Sequence, residues 1–582
     1  MEFQRYFQEE LAYLRETGNE FSREYPKLAP FLSRKGNDPD VERLLEGFAF
    51  FAAKLRQKID DDLPELSQGL MQLLWPHYLR PLPSTSILKF SPKSDSTITT
   101  CKKIQRGTPV GSTMVQGVSA LFRTCYDVAL LPLEVKHVDL KSIGNSSILE
   151  LTFGVNGEMT WDTIELDSLR LFLNAESSLS STMYLWFFQY LDRVKVYGGE
   201  GGVEELTPQH VQPVGFSSDE EVIPYRSAAN AGYRLWQEYF TLPQKFMFID
   251  VVQLGDVARR MPGSKSFKLA FHFSRPFSNI VRVGVHNFQL HCTPIINLFK
   301  KDAEPIRLDR ERIAYKLRAD DNESGRYEIF EVNSVSGWTQ GTKERRFYRP
   351  FISFDREGRD NEYFYEIHRK SSIKDKSIET SLSFLYPPDA SLDVEKEVIS
   401  VELLCTNGNL PQMLREGDVC VGVDGSPQYA TFENVIPATA SYPPPLGKDM
   451  LWLLISNMAP NYTSMVDVDT LCSVISLYNT PAHYHAQSAR AGELRLSGIK
   501  KVVSNQAVIM RRGMPVRGMR TKIEMQNTKF GGSGEMFLFA TVLAEYLGVY
   551  VALNSFNQLE VYDTDSGEEY TWRPKAGSQT LI

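Results

Sequence analysis

At 582 residues the chain is long enough for about three or four domains of ~150 residues each. Its 42% hydrophobic and 23% charged residues are the balance of a globular protein with a sizeable core. A net charge of −8 argues against a whole-chain nucleic-acid binder, and no run approaches the ~20 apolar residues of a membrane span.

The first residues, MEFQRYFQEEL, are charged and lack the apolar core of a signal peptide. Residues 1–25 read as one helix. Phe7, Leu14, Phe21 and Leu28 are spaced by seven, with Leu11 and Tyr25 between them. This is close to a coiled-coil seam, interrupted by Gly18 and closed at Pro26. Residues 38–74 carry the strongest helix signal. Asp38 can cap, Pro39 suits the first helical position, and Asp40 and Glu42 lie where the helix dipole favours negative charge. Val41, Leu44, Leu45, Phe48, Phe51, Ala52, Leu55 and Ile59 recur at helical spacing. Asp60, Asp61 and Asp62 are expected to break the run, and Pro64 to open a second helix that ends before Pro76. The apolar face is wider than one hairpin can bury, so it must pack on the rest of the chain or on another protein.

The prolines of residues 76–84 predict a linker. Period-two alternation then takes over, with Leu149, Leu151, Phe153 and Val155 in one run and Leu169, Leu171 and Leu173 in another. A helix is expected to carry Met183, Phe187, Tyr190, Leu191 and Val194, ending at the glycines 198–202. The run GYRLWQEYFTLPQKFMFIDVVQL predicts an aromatic helix stopped near Pro243, then a strand. Further strands are expected at 267–273, 281–290, 292–301, 327–332, 363–368 and 398–411. The charged stretches 344–348 and 356–361 read as loops, and 438–447 as a second linker. The remainder predicts helices at 449–464 and 471–481, strands, a helix at 536–547 and a terminal strand. The fold class is therefore α+β: an N-terminal helical segment followed by several mostly antiparallel β-rich domains with a few helices. The expected divisions are 1–84, 85–230, 231–437 and 438–582.

Chemistry-bearing patterns are weak. His483 and His485 flank Tyr484 and would share a face in a strand, but no Cys or carboxylate nearby completes a metal site, so a turn or interface is preferred. Asp60, Asp61 and Asp62 read as a solvated helix end that caps the next helix rather than as an Mg²⁺ site. FGGSGE, residues 530–535, lacks the lysine of a phosphate-binding loop and reads as a glycine-permitted turn. Arg511, Arg512, Arg517, Arg520 and Lys522 form the densest basic stretch, read as a solvated strand face, then as a site for an acidic protein, and last for nucleic acid. The six cysteines (Cys101, Cys125, Cys292, Cys405, Cys420, Cys472) form no CxxC and are expected to be thiols in the cytoplasm. No GxSxG, HExxH or GxxxxGK[ST] motif is present, so no catalytic residue, metal or cofactor is assigned. A β-rich carbohydrate-active enzyme with an unrecognised carboxylate pair is the alternative.

Seven stretches, taken in order, resemble the TssF (VasA/ImpG) family of type VI secretion baseplate subunits. They are DPDVERLLEGFAFFAAKL, PHYLRPLPS, GYRLWQEYFTLPQKFMF, CTPIINLF, LLCTNGNLP, LWLLISNMAPNYTS and VLAEYLGVYVALNSFNQLEV. The resemblance implies a structural role. Two TssF-like copies would join one TssG-like subunit, with TssK and TssE, in a baseplate wedge. Six wedges would surround a VgrG spike, seed the tube and contractile sheath, and dock to the cell-envelope membrane complex, with no nucleic acid and no membrane insertion. It also directs attention to the N-terminal helices as a partner surface: Phe7, Leu11, Leu14, Phe21, Leu45, Phe48, Leu55 and Ile59.

Overall fold

The computed structural model describes residues 2–25, 39–93, 101–157, 159–164, 166–198, 202–225, 231–277, 282–309, 312–319, 327–339, 345–351, 363–371, 378–385, 397–446, 467–511, 513–549, 551 and 553–577. The charged stretch 356–361 and the expected helix 449–464 lie outside them. Helix Glu2–Glu24 forms as its seven-residue spacing predicts. A single helix, Pro39–Leu74, takes the place of the two expected after it and runs through Asp60, Asp61, Asp62 and Pro64. A proline removes one helical hydrogen bond and can bend a helix without ending it. The three aspartates therefore lie inside a helix, and the expected solvated end and cap do not exist.

The segment expected to be a linker is part of the core. Pro76–Leu79 forms a 3₁₀ turn, and His77, Tyr78, Leu79, Leu82 and Ser84 are buried. Leu82 exchanges backbone hydrogen bonds with Tyr442 (2.7 and 2.9 Å), which lies in the other expected linker and is itself buried. Proline withholds only its own N–H, so its neighbours still pair.

The strands are mostly antiparallel, in five main sheets. Three of these draw strands from both sides of residue 230. One joins Thr85–Pro92, Pro109–Val115, Val118–Thr124, Cys292–Ile296 and Ala430–Asn434. A second pairs Ser146–Val155 with Ser266–Phe273, and the third pairs Ser168–Leu173 with Phe248–Val252. The alternation read from the sequence sets the register. Phe153 lies opposite Phe267, Leu151 opposite Leu269 and Leu149 opposite Phe271, all pointing into the core, and the first pair stacks at 4.9 Å. An eight-stranded sheet spans Phe299–Asp302 to Glu397–Thr406, with its own core of Val332, Val335, Tyr348, Leu382, Val401 and Leu403. The last sheet contains a right-sized crossover: strand Met514–Met525, helix Ser533–Val549 and the parallel strand Phe556–Asp563.

Three local expectations are corrected. The helix Ser177–Leu185 passes through one π turn, Trp186–Tyr190, and gives way to strand Leu191–Tyr197. Leu191 and Val194 thus lie on the strand, where Val194 and Val196 alternate inward. The charged stretch 344–348 contributes to strand Arg345–Pro350, where Arg345 and Arg349 are exposed, Tyr348 is buried and the half-buried Arg346 pairs with the buried Glu397 at 3.6 Å. Within 281–290, only Phe288–Gln289 is a strand among the described residues, after the turn Val285–Asn287.

Candidate assembly interface

The two N-terminal helices pack along each other, and the apolar residues of the second divide into two stripes. On one, Leu45 and Ala52 are half-buried and Ala49 and Ala53 are fully buried. Small residues there let the two backbones approach. Phe7, Leu11 and Leu14 on the first helix are likewise half-buried, and Phe21 is exposed beside Tyr25, with ring centroids 5.1 Å apart. On the other stripe, Leu44, Phe48, Phe51 and Leu55 follow one another at i, i+4, i+7 and i+11 and are 74%, 66%, 62% and 47% exposed. A row of large apolar side chains at that spacing is one continuous face, and its exposure makes it the candidate interaction surface.

The expected interface residues are therefore not one surface. Phe7, Leu11, Leu14 and Leu45 are drawn toward the seam between the helices, whereas Phe48 and Leu55 stand outside it. Ile59 lies on the helix, with its side chain outside the described residues. Leu44 and Phe51 complete the outer stripe, and Tyr13 and Leu70 are further exposed apolar side chains on the two helices. The signal was present in residue size: alanines mark the inner stripe and phenylalanines the outer one.

The base of this hairpin is held firmly. Met71 is fully buried. Gln68 Nε2 donates to the Arg369 carbonyl at 3.0 Å, and Arg80 pairs with Glu331 at 3.1 Å. The buried Arg369 guanidinium donates to the carbonyls of Leu79 and of Phe330, the latter at 2.8 Å. His77 sits among rings, 4.7 Å from Tyr78 and 4.8 Å from Tyr225. Burial, aided by Arg80, pushes its imidazole down to about 3, so it is held neutral.

The remaining candidates are structural in their surroundings. His483 ends the 3₁₀ turn Thr480–His483 and His485 precedes helix Ala486–Ser497, so the pair lies in a turn and not on one strand face. Among the described residues no cluster of three or more His, Cys, Asp or Glu side chains is placed to hold a metal ion. FGGSGE starts helix Ser533–Val549: Gly532 has φ +120°, and a Cβ on Gly534 would come within 2.6 Å of the Ser181 backbone. Glu535 accepts from Gly531 N at 2.8 Å and from Arg495 Nε at 2.6 Å. These glycines serve a close helix crossing.

A cleft of about 640 Å³ is lined by Arg106, Tyr126, Asp127, Arg170, Glu220 and His291, among others. Two of its carboxylates are tied to cations: Asp127 to Lys103 at 2.7 Å, and Glu220 to Arg170 at 3.3 Å, which also holds Asp250 at 2.7 Å. Burial pushes His291 down to about 4, and its Nε2 accepts the Leu131 N–H at 3.1 Å. No observation favours the carbohydrate-active alternative.

Comparison with known proteins identifies the family. The family described as "Type VI secretion system, TssF" matches residues 1–579. The chain is 26% identical to type VI secretion system component TssF1 of Pseudomonas aeruginosa, over 99% of this chain and 98% of that protein. It is similar to a chain in the cryo-electron microscopy structure of the TssK-TssF-TssG baseplate subcomplex, with TM-score 0.75 and 28% identity over 92% of this chain and 99% of that one. A chain of the type VI secretion system baseplate complex gives TM-score 0.64 and 26% identity over the full length of both. The chain belongs to the TssF family of type VI secretion system components.

Proposed function

We propose that this chain is a structural wedge subunit of a type VI secretion baseplate and has no catalytic role. In this reading it assembles with TssG- and TssK-type subunits, as the relative in the solved subcomplex does. Two copies join one TssG-type subunit, with a TssE-type protein and further copies of this chain around a VgrG-type spike. The plate so formed seeds the tube and contractile sheath from the cytoplasm and docks to the membrane complex of the envelope. No described helix is long and apolar enough to cross a membrane.

The observation that carries the reading is the exposed stripe Leu44, Phe48, Phe51 and Leu55 on a helix whose base is fixed to the body. A partner helix laid along it removes those side chains from water, at ~25 cal/mol per Å² of apolar surface. The helices of the segment 1–84 are then the assembly element; in the body that carries them the expected divisions 85–230 and 231–437 share three sheets, and 438–582 follows. The test is co-expression with the TssG-type partner and mass measurement of the purified complex. A two-to-one complex supports the reading. A chain that stays monomeric beside a folded partner overturns it.

A further inference from the structure

The basic stretch near residue 511 is a projecting arm. Strand Ile499–Arg511 pairs with strand Met514–Met525 and forms the free edge of its sheet. The second strand meets Asn557–Asp563 only over Met519–Met525, and the Ser555 hydroxyl donates to the Arg517 carbonyl at 2.9 Å. Beyond that point the ribbon pairs with nothing but itself among the described residues. Gly513, at φ +79°, allows the tight turn at its tip. Val508, Met510 and Met514 are 60%, 70% and 67% exposed there. A two-stranded ribbon is marginal alone, and these side chains serve no core of their own chain.

Charge identifies what the arm fits. Residues 499–525 hold seven Lys and Arg against one Glu, a net +6 in a chain of net −8, so the remainder carries −14. Near the root, Lys501 pairs with Glu524, and Arg520 and Lys522 with Glu560. Arg511 and Arg517 lie at the outer end with the two methionines. Nucleic acid and anionic bilayers present broad negative surfaces that would repel a body of −14. A protein surface offers local negative charge together with an apolar pocket for methionine.

We propose that the arm docks on the acidic body of a second copy of this chain. Each copy supplies both halves of the match, the +6 ribbon and the −14 remainder. The inference rests on the reading of the chain as an assembly subunit, but it uses a surface separate from the N-terminal helices.

The test places a photo-crosslinking amino acid at Met514 in the full chain, co-expressed with the TssG-type partner. The expected adduct has twice the 66.2 kDa of one chain, with the crosslinked peptide from the chain's own acidic body. Arg511→Glu with Arg517→Glu should lower its yield at least tenfold and leave co-purification with the TssG-type partner intact. On the otherwise unmodified chain, raising salt from about 0.05 to 0.5 M should weaken crosslinking severalfold, a readout that needs no folding of the variant. An adduct to the TssG-type or TssK-type subunit, to nucleic acid, or no adduct overturns the inference, as does salt-independent crosslinking to a second copy. Loss of co-purification from the unmodified chain instead overturns the assembly reading itself.

Discussion

Two aromatic helices of this molecule have opposite fates. In helix Pro39–Leu74 the run FAFFAAKL leaves Phe48, Phe51 and Leu55 in solvent. In helix Ala231–Thr241 the run YRLWQEYF buries Tyr233, Trp236 and Tyr239, and also Arg234 and Glu238. There Glu238 accepts the Val222 and Ile223 N–H groups at 2.8 and 3.0 Å and the Lys245 ammonium at 2.5 Å. Burial pushes Lys245 below its usual range against the pull of Glu238. Hydrophobic content does not separate these helices; the supply of surrounding surfaces does. The inner helix meets other elements on every side, enough to satisfy even its charges. The outer one packs its alanine stripe on one helix and, among the described residues, joins the body only near its C-terminal end.

The contrast is broken most strongly at Glu238. Glu238→Gln leaves the Lys245 charge buried without its counter-ion, and the loss expected is about 3–5 kcal/mol. A lowered urea midpoint measures it; a midpoint within error of wild type would mean that the pair is not a buried ionic contact. Replacing both partners by apolar residues, Glu238→Leu with Lys245→Met, should recover only part of that loss, because the buried Val222 and Ile223 N–H groups lose their acceptor.

Phe48→Glu with Phe51→Glu should do the reverse. Stability should hold within about 1 kcal/mol, because both side chains are already in water. Affinity for the TssG-type partner should fall about a hundredfold, as for hot-spot aromatics. Isothermal titration beside thermal unfolding reads both, and undiminished binding places the partner elsewhere. Leu11 and Leu14 are poorer targets, since they are half-buried and a charge there also separates the two helices.

Gly534→Ala tests the inner packing. The added methyl group must move the Ser181 backbone, at about 1–3 kcal/mol. A melting temperature equal to wild type would show that the crossing has slack. The smallest effect per step is acid sensitivity at His77. Its folded value is depressed from 6.5 to about 3, so below pH 6.5 the unfolded chain takes up a proton that the folded chain refuses. Stability should be fully present above pH 6.5 and fall by about 1.4 kcal/mol per pH unit as the pH drops. His77→Phe should flatten the denaturation slope between pH 5.5 and 4.5 by about that amount; His291, pushed down to about 4, keeps its own share.

Much of the fold was legible in local pattern. Seven-residue spacing marked helix Glu2–Glu24, and alternation at Leu149, Leu151 and Phe153 marked an inward strand face. What was hidden depends on distant partners. The prolines of 76–84 look like a linker until Tyr442, more than 350 residues away, supplies backbone hydrogen bonds. Pro64 looks like a stop, although a long helix tolerates it. The glycines of FGGSGE suggest a loop because Ser181, whose backbone leaves no room for a side chain on Gly534, lies far off in sequence. The candidate interface was half legible: the excess of apolar surface could be counted, but the division into alanine and phenylalanine stripes becomes meaningful only once one neighbouring helix is in place.

Helix Pro39–Leu74 has 36 residues, and at 1.5 Å per residue it is about 54 Å long. It is gripped at one end, where Gln68, Arg80 and Arg369 tie it to the eight-stranded sheet. That makes it a lever. A rotation of about 10° at the grip would sweep Leu44, about 36 Å from Gln68, through roughly 6 Å, about one helical turn of a partner. A modest rearrangement in the sheet at Phe330 or Arg369 could therefore carry the apolar stripe from one neighbour's reach to another's.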